Sequence, residues 1–212
     1  MERWWYSLFS ANEVSMGQGS FVFESEVESF LDGMIEYYPN FFKDDEFSYL
    51  KEKLNWRKDL ITIFGKTNPI PRLHCWYGDQ GINYEYSNIH LPRNDWSSEL
   101  IKIKDEIEEK VSTRFNGMLA NYYRDGSDYV SWHSDDEKSL GPNPTIACAS
   151  FGGPRVFSLK NRKSGELIKI NLQGRSLLIM HPPTQREWLH QIPKSKVFED
   201  ERISLTFRFV HQ

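Results

Sequence analysis

An α+β fold is predicted, with helices and short strands in the first half packed on a C-terminal jelly roll (a double-stranded β-helix core). Three observations predict it. Apolar residues recur with helical period in the first half, most clearly Leu100, Ile103, Ile107 and Val111. After Asn116 the pattern changes to period two and stays there. About eight short strand-like runs then follow at the spacing of an all-β sandwich or jelly roll.

Residues 1–23 show no firm period, and residues 1–38 are read as an N-terminal extension to a folded domain over 39–212. Val27, Phe30, Leu31, Met34 and Ile35 have helical spacing, which Pro39 and Asn40 end. A second helix starts near Asp44. Phe47, Leu50 and Leu54 form its inner face, and Asp44, Asp45 and Glu46 suit the helix dipole at its start. From Ile61 to Tyr86 the chain reads as short strands, punctuated by Pro69, Pro71, Gly78-Asp79 and Gly81. The clearest helix runs from Ser97 to Phe115, with Lys104, Asp105, Glu108 and Glu109 on its solvated face. The strand-like runs are Met118–Tyr123, Tyr129–Asp135, Thr145–Phe151, Arg155–Lys160, Leu167–Asn171, Ser176–Met180, Glu187–Gln191 and Arg202–Val210. No repeat, low-complexity tract or composition break marks a second domain.

The bulk numbers fit a single enzyme-sized domain. The chain has 212 residues, 39% of them hydrophobic and 15% aromatic, which favours a folded domain over disorder. Its net charge is −4, so binding to nucleic acid would have to come from local basic clusters. Two cysteines, Cys75 and Cys148, are too few for a disulfide scaffold and point to a reducing, intracellular setting. That means cytoplasm in a bacterium or nucleus in a eukaryote. No signal peptide is expected from Met1-Glu2-Arg3-Trp4-Trp5, and no apolar run approaches membrane-spanning length. A monomer away from membranes is expected.

Chemistry enters at His133-Ser134-Asp135. Two residues apart on a strand, His133 and Asp135 project from one face, and His190 lies on a later strand. Two histidines and a carboxylate are the facial set of non-haem Fe(II) oxygenases, which leaves positions open for a cosubstrate and O2. Taken alone, His-x-Asp reads as well or better as an ordinary hydrogen-bonded pair. The last strand shifts the balance. In Arg202–Phe209 the odd positions are apolar and the even ones are Arg202, Ser204, Thr206 and Arg208. That polar face either meets solvent or lines the barrel and holds a dicarboxylate, which a guanidinium pairs bidentately. Asn121 and Tyr123 share one face of the strand leading to His133 and can donate to carboxylate and keto oxygens.

The ordered set Asn121-Tyr122-Tyr123, His133-Ser134-Asp135, His190 and Arg202-x5-Arg208 resembles the AlkB family of 2-oxoglutarate dioxygenases over about Pro39 to Val210. Ile61-Thr62-Ile63-Phe64-Gly65-Lys66, Pro71-Arg72, Tyr77-Gly78-Asp79, Tyr123-Arg124-Asp125-Gly126 and His133–Glu137 are most similar to the animal homologue that works on duplex DNA. The resemblance implies Fe(II) on His133, Asp135 and His190, and 2-oxoglutarate on Asn121, Tyr123, Arg202 and Arg208, with O2 as oxidant. It implies a nucleotide-recognition lid over the jelly roll. Phe64 falls at the place of a finger that fills the stack when a base is flipped, and Arg72, Tyr84, Tyr86, Asp136 and Glu137 fall where substrate-pocket residues lie. The implied activity is oxidative removal of N-alkyl groups, of the 1-methyladenine and 3-methylcytosine kind, from DNA, releasing formaldehyde, succinate and CO2. DNA, single- or double-stranded, is the preferred partner. RNA or protein as substrate, or a non-enzymatic jelly-roll module, are the other readings. Asp136 and Glu137 also read as a solvated acidic turn. The basic turn Lys160–Gly165, with Lys66, Arg72, Lys194 and Lys196, supplies candidate phosphate contacts, although such turns are also common solubilising loops.

Overall fold

The computed structural model describes residues 27–63, 66–86, 89–197 and 199–211. In chain order, β1 (Glu28–Phe30) and β2 (Ile35–Tyr38) precede helix α1 (Phe47–Lys53). Next come β3 (Leu60–Ile63), β4 (Lys66–Pro69), β5 (Leu73–Gly78), β6 (Tyr84–Tyr86), β7 (Ile89–Leu91) and β8 (Arg93–Asn94). Helix α2 (Ser98–Val111) leads into β9 (Gly117–Tyr123) and β10 (Val130–His133). Then follow β11 (Ile146–Gly152), β12 (Arg155–Asn161), β13 (Leu167–Leu172) and β14 (Ser176–Met180). A one-turn helix α3 (Thr184–Glu187), β15 (Trp188–Ile192) and β16 (Arg202–Arg208) complete the chain.

The strands form a large sheet in the order β1-β2-β14-β11-β16-β9-β5-β8 and a small one in the order β10-β15-β12-β13. Two hairpins, β3-β4 and β6-β7, stand apart from both. Period-two alternation sorts the large sheet into two faces. Met118, Ala120 and Tyr122 of β9, with Ile203, Leu205 and Phe207 of β16, pack in the cluster that holds Leu50, Leu100, Ile103 and Ile107 of the helices. The alternate residues of β9 and β16 face the small sheet. A β-sheet roll with helices on one outer face is therefore the realised α+β fold.

Helix α2 starts where Ser97 Oγ accepts from Leu100 N at 3.2 Å. It ends at Ser112, in the left-handed conformation. Glu108 departs from the expected solvated face. It is buried, accepting from Phe115 N at 2.7 Å and pairing with Arg114 at 2.8 Å.

The helical spacing around residues 27–35 is not realised. Leu31, Asp32 and Gly33 all have φ between 52° and 86°, and such a left-handed run closes a turn and cannot continue a right-handed helix. The hairpin pairs through β2 with β14, so residues 28–38, read from the sequence as an extension, end the large sheet. Strand β10 is also shorter than expected. It ends at His133, and Asp135 follows just beyond it.

Candidate metal and cosubstrate site

The two sheets face each other across a cavity, and the functional side chains line it. Strand pairing sets the two histidines directly opposite one another, His133 on β10 and His190 on β15. Their ring centroids are 4.3 Å apart. One ligand atom from each of His133, Asp135 and His190 lies within 4.8 Å of the others, the only such cluster among the described residues. His133 Nδ1 is 2.8 Å from the carbonyl of Ser131. A carbonyl only accepts, so Nδ1 carries a proton there and Nε2 is the ring atom left to face a metal. The His190 ring stacks on Phe157 at 5.3 Å.

Burial and the neighbouring His133 push His190 down to about 3, so it is neutral at ordinary pH. Its Nε2 lies 3.9 Å from Asp135 Oδ2, and with a neutral ring this is the approach of two ligands rather than an ion pair. Burial would raise the Asp135 carboxyl, but the charge of Arg208, aided by the two histidines, holds it at about 2. Asp135 is thus a carboxylate and His190 a neutral imidazole, the protonation states in which these groups bind Fe(II). Gln185 Oε1 accepts from Asp135 N at 2.9 Å and fixes the backbone there.

Arg202 is buried at 1% exposure. Nη2 donates to Ser150 Oγ at 2.8 Å, while Nε and Nη1 find no partner. A buried guanidinium with unmet donors is costly unless an anion completes it, and a carboxylate of 2-oxoglutarate has that chemistry. The guanidinium also lies over the ring of Tyr123, its centre 5.3 Å from the centroid. Asn121, Tyr123, Ser204 and Thr206 line the same cavity. The residues present therefore fit both the metal and the 2-oxo acid.

Arg208 shares the cavity with Arg202, and its Nε is buried without a partner. Arg208 Nη2 donates to Asp135 Oδ1 at 2.8 Å, which makes it first a partner of the metal ligand. Arg72, expected on the substrate side, donates to Asn121. Tyr84 is 1% exposed and stacks on Trp76 at 4.4 Å, so in this conformation its ring is not offered to a base. Its hydroxyl donates to Glu137 Oε1 at 3.0 Å, and Glu137 Oε2 is buried without a partner. Asp136 is exposed and lies 3.3 Å from Arg162, the basic turn's own arginine. Tyr86 belongs to β6 by its backbone, and its side chain lies outside the described residues, as does all of Phe64.

Two residues escaped the sequence reading. Gln185 has no local signal. Arg155 is buried and donates to the carbonyls of Asp125, Asp128 and Pro193, holding two loops beside Tyr123. Its signal was present, because it alternates inward with Phe157 and Leu159 as a charge in an apolar row.

A family model described as the 2OG-Fe(II) oxygenase superfamily matches residues 34–208. The chain belongs to this superfamily. Within it, the chain is similar to curated proteins of the AlkB type. Alpha-ketoglutarate-dependent dioxygenase alkB homolog 3 of Mus musculus is 39% identical over 188 residues, 82% of this chain and 65% of the relative. DNA oxidative demethylase ALKBH2 of the same species is 36% identical over 156 residues, 70% of this chain and 65% of the relative. The chain thus spans about 65% of the length of these relatives. Both kinds of relative match to a similar degree, so the likeness is to the AlkB type as a whole and does not single out the duplex-acting homologue. The solved structure of OsALKBH1 shares the fold, with a TM-score of 0.64 over 87% of this chain and 100% of that one at 17% identity. No helix among the described residues is long and apolar enough to cross a membrane.

Proposed function

We propose that this AlkB-type oxygenase removes N-alkyl lesions, of the 1-methyladenine and 3-methylcytosine kind, from DNA. The observation that carries the reading is a single cavity lined by both the three-ligand cluster and the buried, incompletely paired Arg202. Support for DNA comes from the relatives named DNA oxidative demethylase. A non-enzymatic module has no use for such a cluster.

His133, Asp135 and His190 would hold Fe(II), and Arg202, with Asn121 and Tyr123, the 2-oxoglutarate. Fe(II), 2-oxoglutarate and O2 together supply the oxidation that hydroxylates the N-alkyl carbon, after which the group leaves as an aldehyde. The chain's own work is placement and exclusion of side reactions. Arg208 keeps Asp135 ionised and oriented. A base methylated on its pairing edge is cationic, and the unpartnered Glu137 Oε2 is a suitable acceptor for it. The hairpins β3-β4 and β6-β7 are the proposed nucleotide-recognition lid; Tyr86 belongs to β6, and Phe64 follows β3 in the sequence. The target base must leave the stack to reach the metal, at a cost of a few kcal/mol that methylation lowers by breaking the pair beforehand.

The test is mass spectrometry of methylated oligonucleotides incubated with the protein, Fe(II) and 2-oxoglutarate. Loss of the methyl group from 1-methyladenine or 3-methylcytosine in DNA is expected. Faster loss from the matched RNA would transfer the assignment to RNA, and no loss from either would overturn it.

A further inference from the structure

We infer that Arg72 is a positioning residue, which fixes the Asn121 carboxamide with its NH2 group toward the cavity and so makes Asn121 a hydrogen-bond donor to 2-oxoglutarate. The inference rests on the reading of the cavity as the cosubstrate site. It differs from the family resemblance, which sets Arg72 among residues facing the nucleotide.

Arg72 enters from the segment between β4 and β5 and is buried. Its Nε donates to Asn121 Oδ1 at 2.7 Å, and its Nη1 donates to the carbonyl of Tyr129 at 3.1 Å. The direction of the first bond is compelled. A guanidinium carries five N–H donors and no acceptor, so the amide atom facing it is the oxygen. The amide nitrogen then has to point away from Arg72. Both residues line the cavity that holds Arg202, and Asn121 lies opposite Ser204, two residues along β16 from that arginine.

The orientation matters because a dicarboxylate with a keto group presents acceptors only. An asparagine free to flip would spend part of its time setting its own oxygen against them. A charge-assisted bond to Arg72 makes the orientation one-sided. The bond to Tyr129 adds a link to β10, which begins at the next residue and ends on His133. One side chain thus joins the cosubstrate strand to the metal strand.

Calorimetric titration of the Mn(II)-loaded protein with 2-oxoglutarate tests the inference. Binding by the unaltered chain checks the underlying reading, and its absence would remove that reading and the inference together. Given binding, Arg72→Met should weaken 2-oxoglutarate by about tenfold, with Mn(II) and oligonucleotide affinity unchanged. Asn121→Ala should weaken it similarly, and the double variant should be no worse than Asn121→Ala alone, as for two residues acting through one contact. An unchanged 2-oxoglutarate affinity in Arg72→Met, an equal further loss in the Asn121→Ala background, or a loss of oligonucleotide affinity alone would overturn it. Asn121→Asp guards against misfolding of Arg72→Met, because it keeps and strengthens the pair with Arg72. It replaces the cavity-facing donor with an acceptor, so it should weaken 2-oxoglutarate more than Arg72→Met does. Normal binding by Asn121→Asp would refute the proposed donor.

Discussion

Arg208 and Asp135 form an ion pair inside the roll, Nη2 to Oδ1 at 2.8 Å, with both side chains at 3% exposure or less. The guanidinium occupies one carboxylate oxygen and leaves Oδ2 toward His190. Breaking a buried pair from one side leaves an uncompensated charge, which costs about 3–5 kcal/mol. Arg208→Gln should therefore lower the urea midpoint of the metal-free protein by a corresponding amount and weaken Mn(II) binding. A variant with unchanged midpoint and metal affinity would show that the pair does neither job.

The metal ligands make a thermodynamic prediction independent of turnover. A ligand that binds only the folded state stabilises it by about 2.7 kcal/mol at 100 times its Kd. Mn(II) should raise the melting temperature of the unaltered chain and leave His133→Ala and His190→Ala unmoved. An equal rise in His190→Ala would remove it from the ligand set.

Glu108 predicts a pH-dependent stability. Burial would raise its carboxyl, but the Phe115 amide, Arg114 and Lys104 outweigh that and hold it below the usual value. Its contribution is complete above the unfolded carboxylate pKa and is lost as pH falls through the lower, folded one. Glu108→Gln keeps the contact to Phe115 but not the charge. It should cost about 1 kcal/mol at neutral pH, and the difference should vanish in acid, below both pKa values. Urea denaturation at several pH values reads this directly, and a pH-independent difference would contradict it.

The sequence revealed what is local and concealed what is not. Alternation along β16 put Arg202 and Arg208 on one face, because period two is a property of any strand. Their partners Ser150 and Asp135 lie 52 and 73 residues away in the chain, so no window of sequence contains them. The apolar spacing at Val27–Ile35 fits a helix, and the left-handed turn at Leu31-Asp32-Gly33 overrides it. Glu108 falls on the polar stripe of α2, but the chain folds back after Ser112 and covers it. His133, Asp135 and His190 were legible by residue type and order. Their meeting depends on β10 pairing with β15, which only the fold supplies.

Phe64 predicts a dependence on substrate form. Gly65 follows it in the sequence, and glycine permits a sharp turn. An apolar wedge fills the gap left by a flipped base in a duplex, and a single strand has no such gap. Phe64→Ala should slow repair of a methylated duplex far more than of the matched single strand. An unchanged ratio of the two rates would discard the finger while leaving the oxygenase intact.

The central claim is that oxidation of 2-oxoglutarate in this cavity is spent on an N-alkyl carbon of DNA. The most direct measurement is the ratio of formaldehyde to succinate released when O2 is admitted to the protein loaded with Fe(II), 2-oxoglutarate and an oligonucleotide carrying a single 3-methylcytosine. The account predicts one formaldehyde for each succinate, and neither product from His190→Ala. Succinate formed at the full rate without formaldehyde, and with the methyl group still on the DNA, would contradict it.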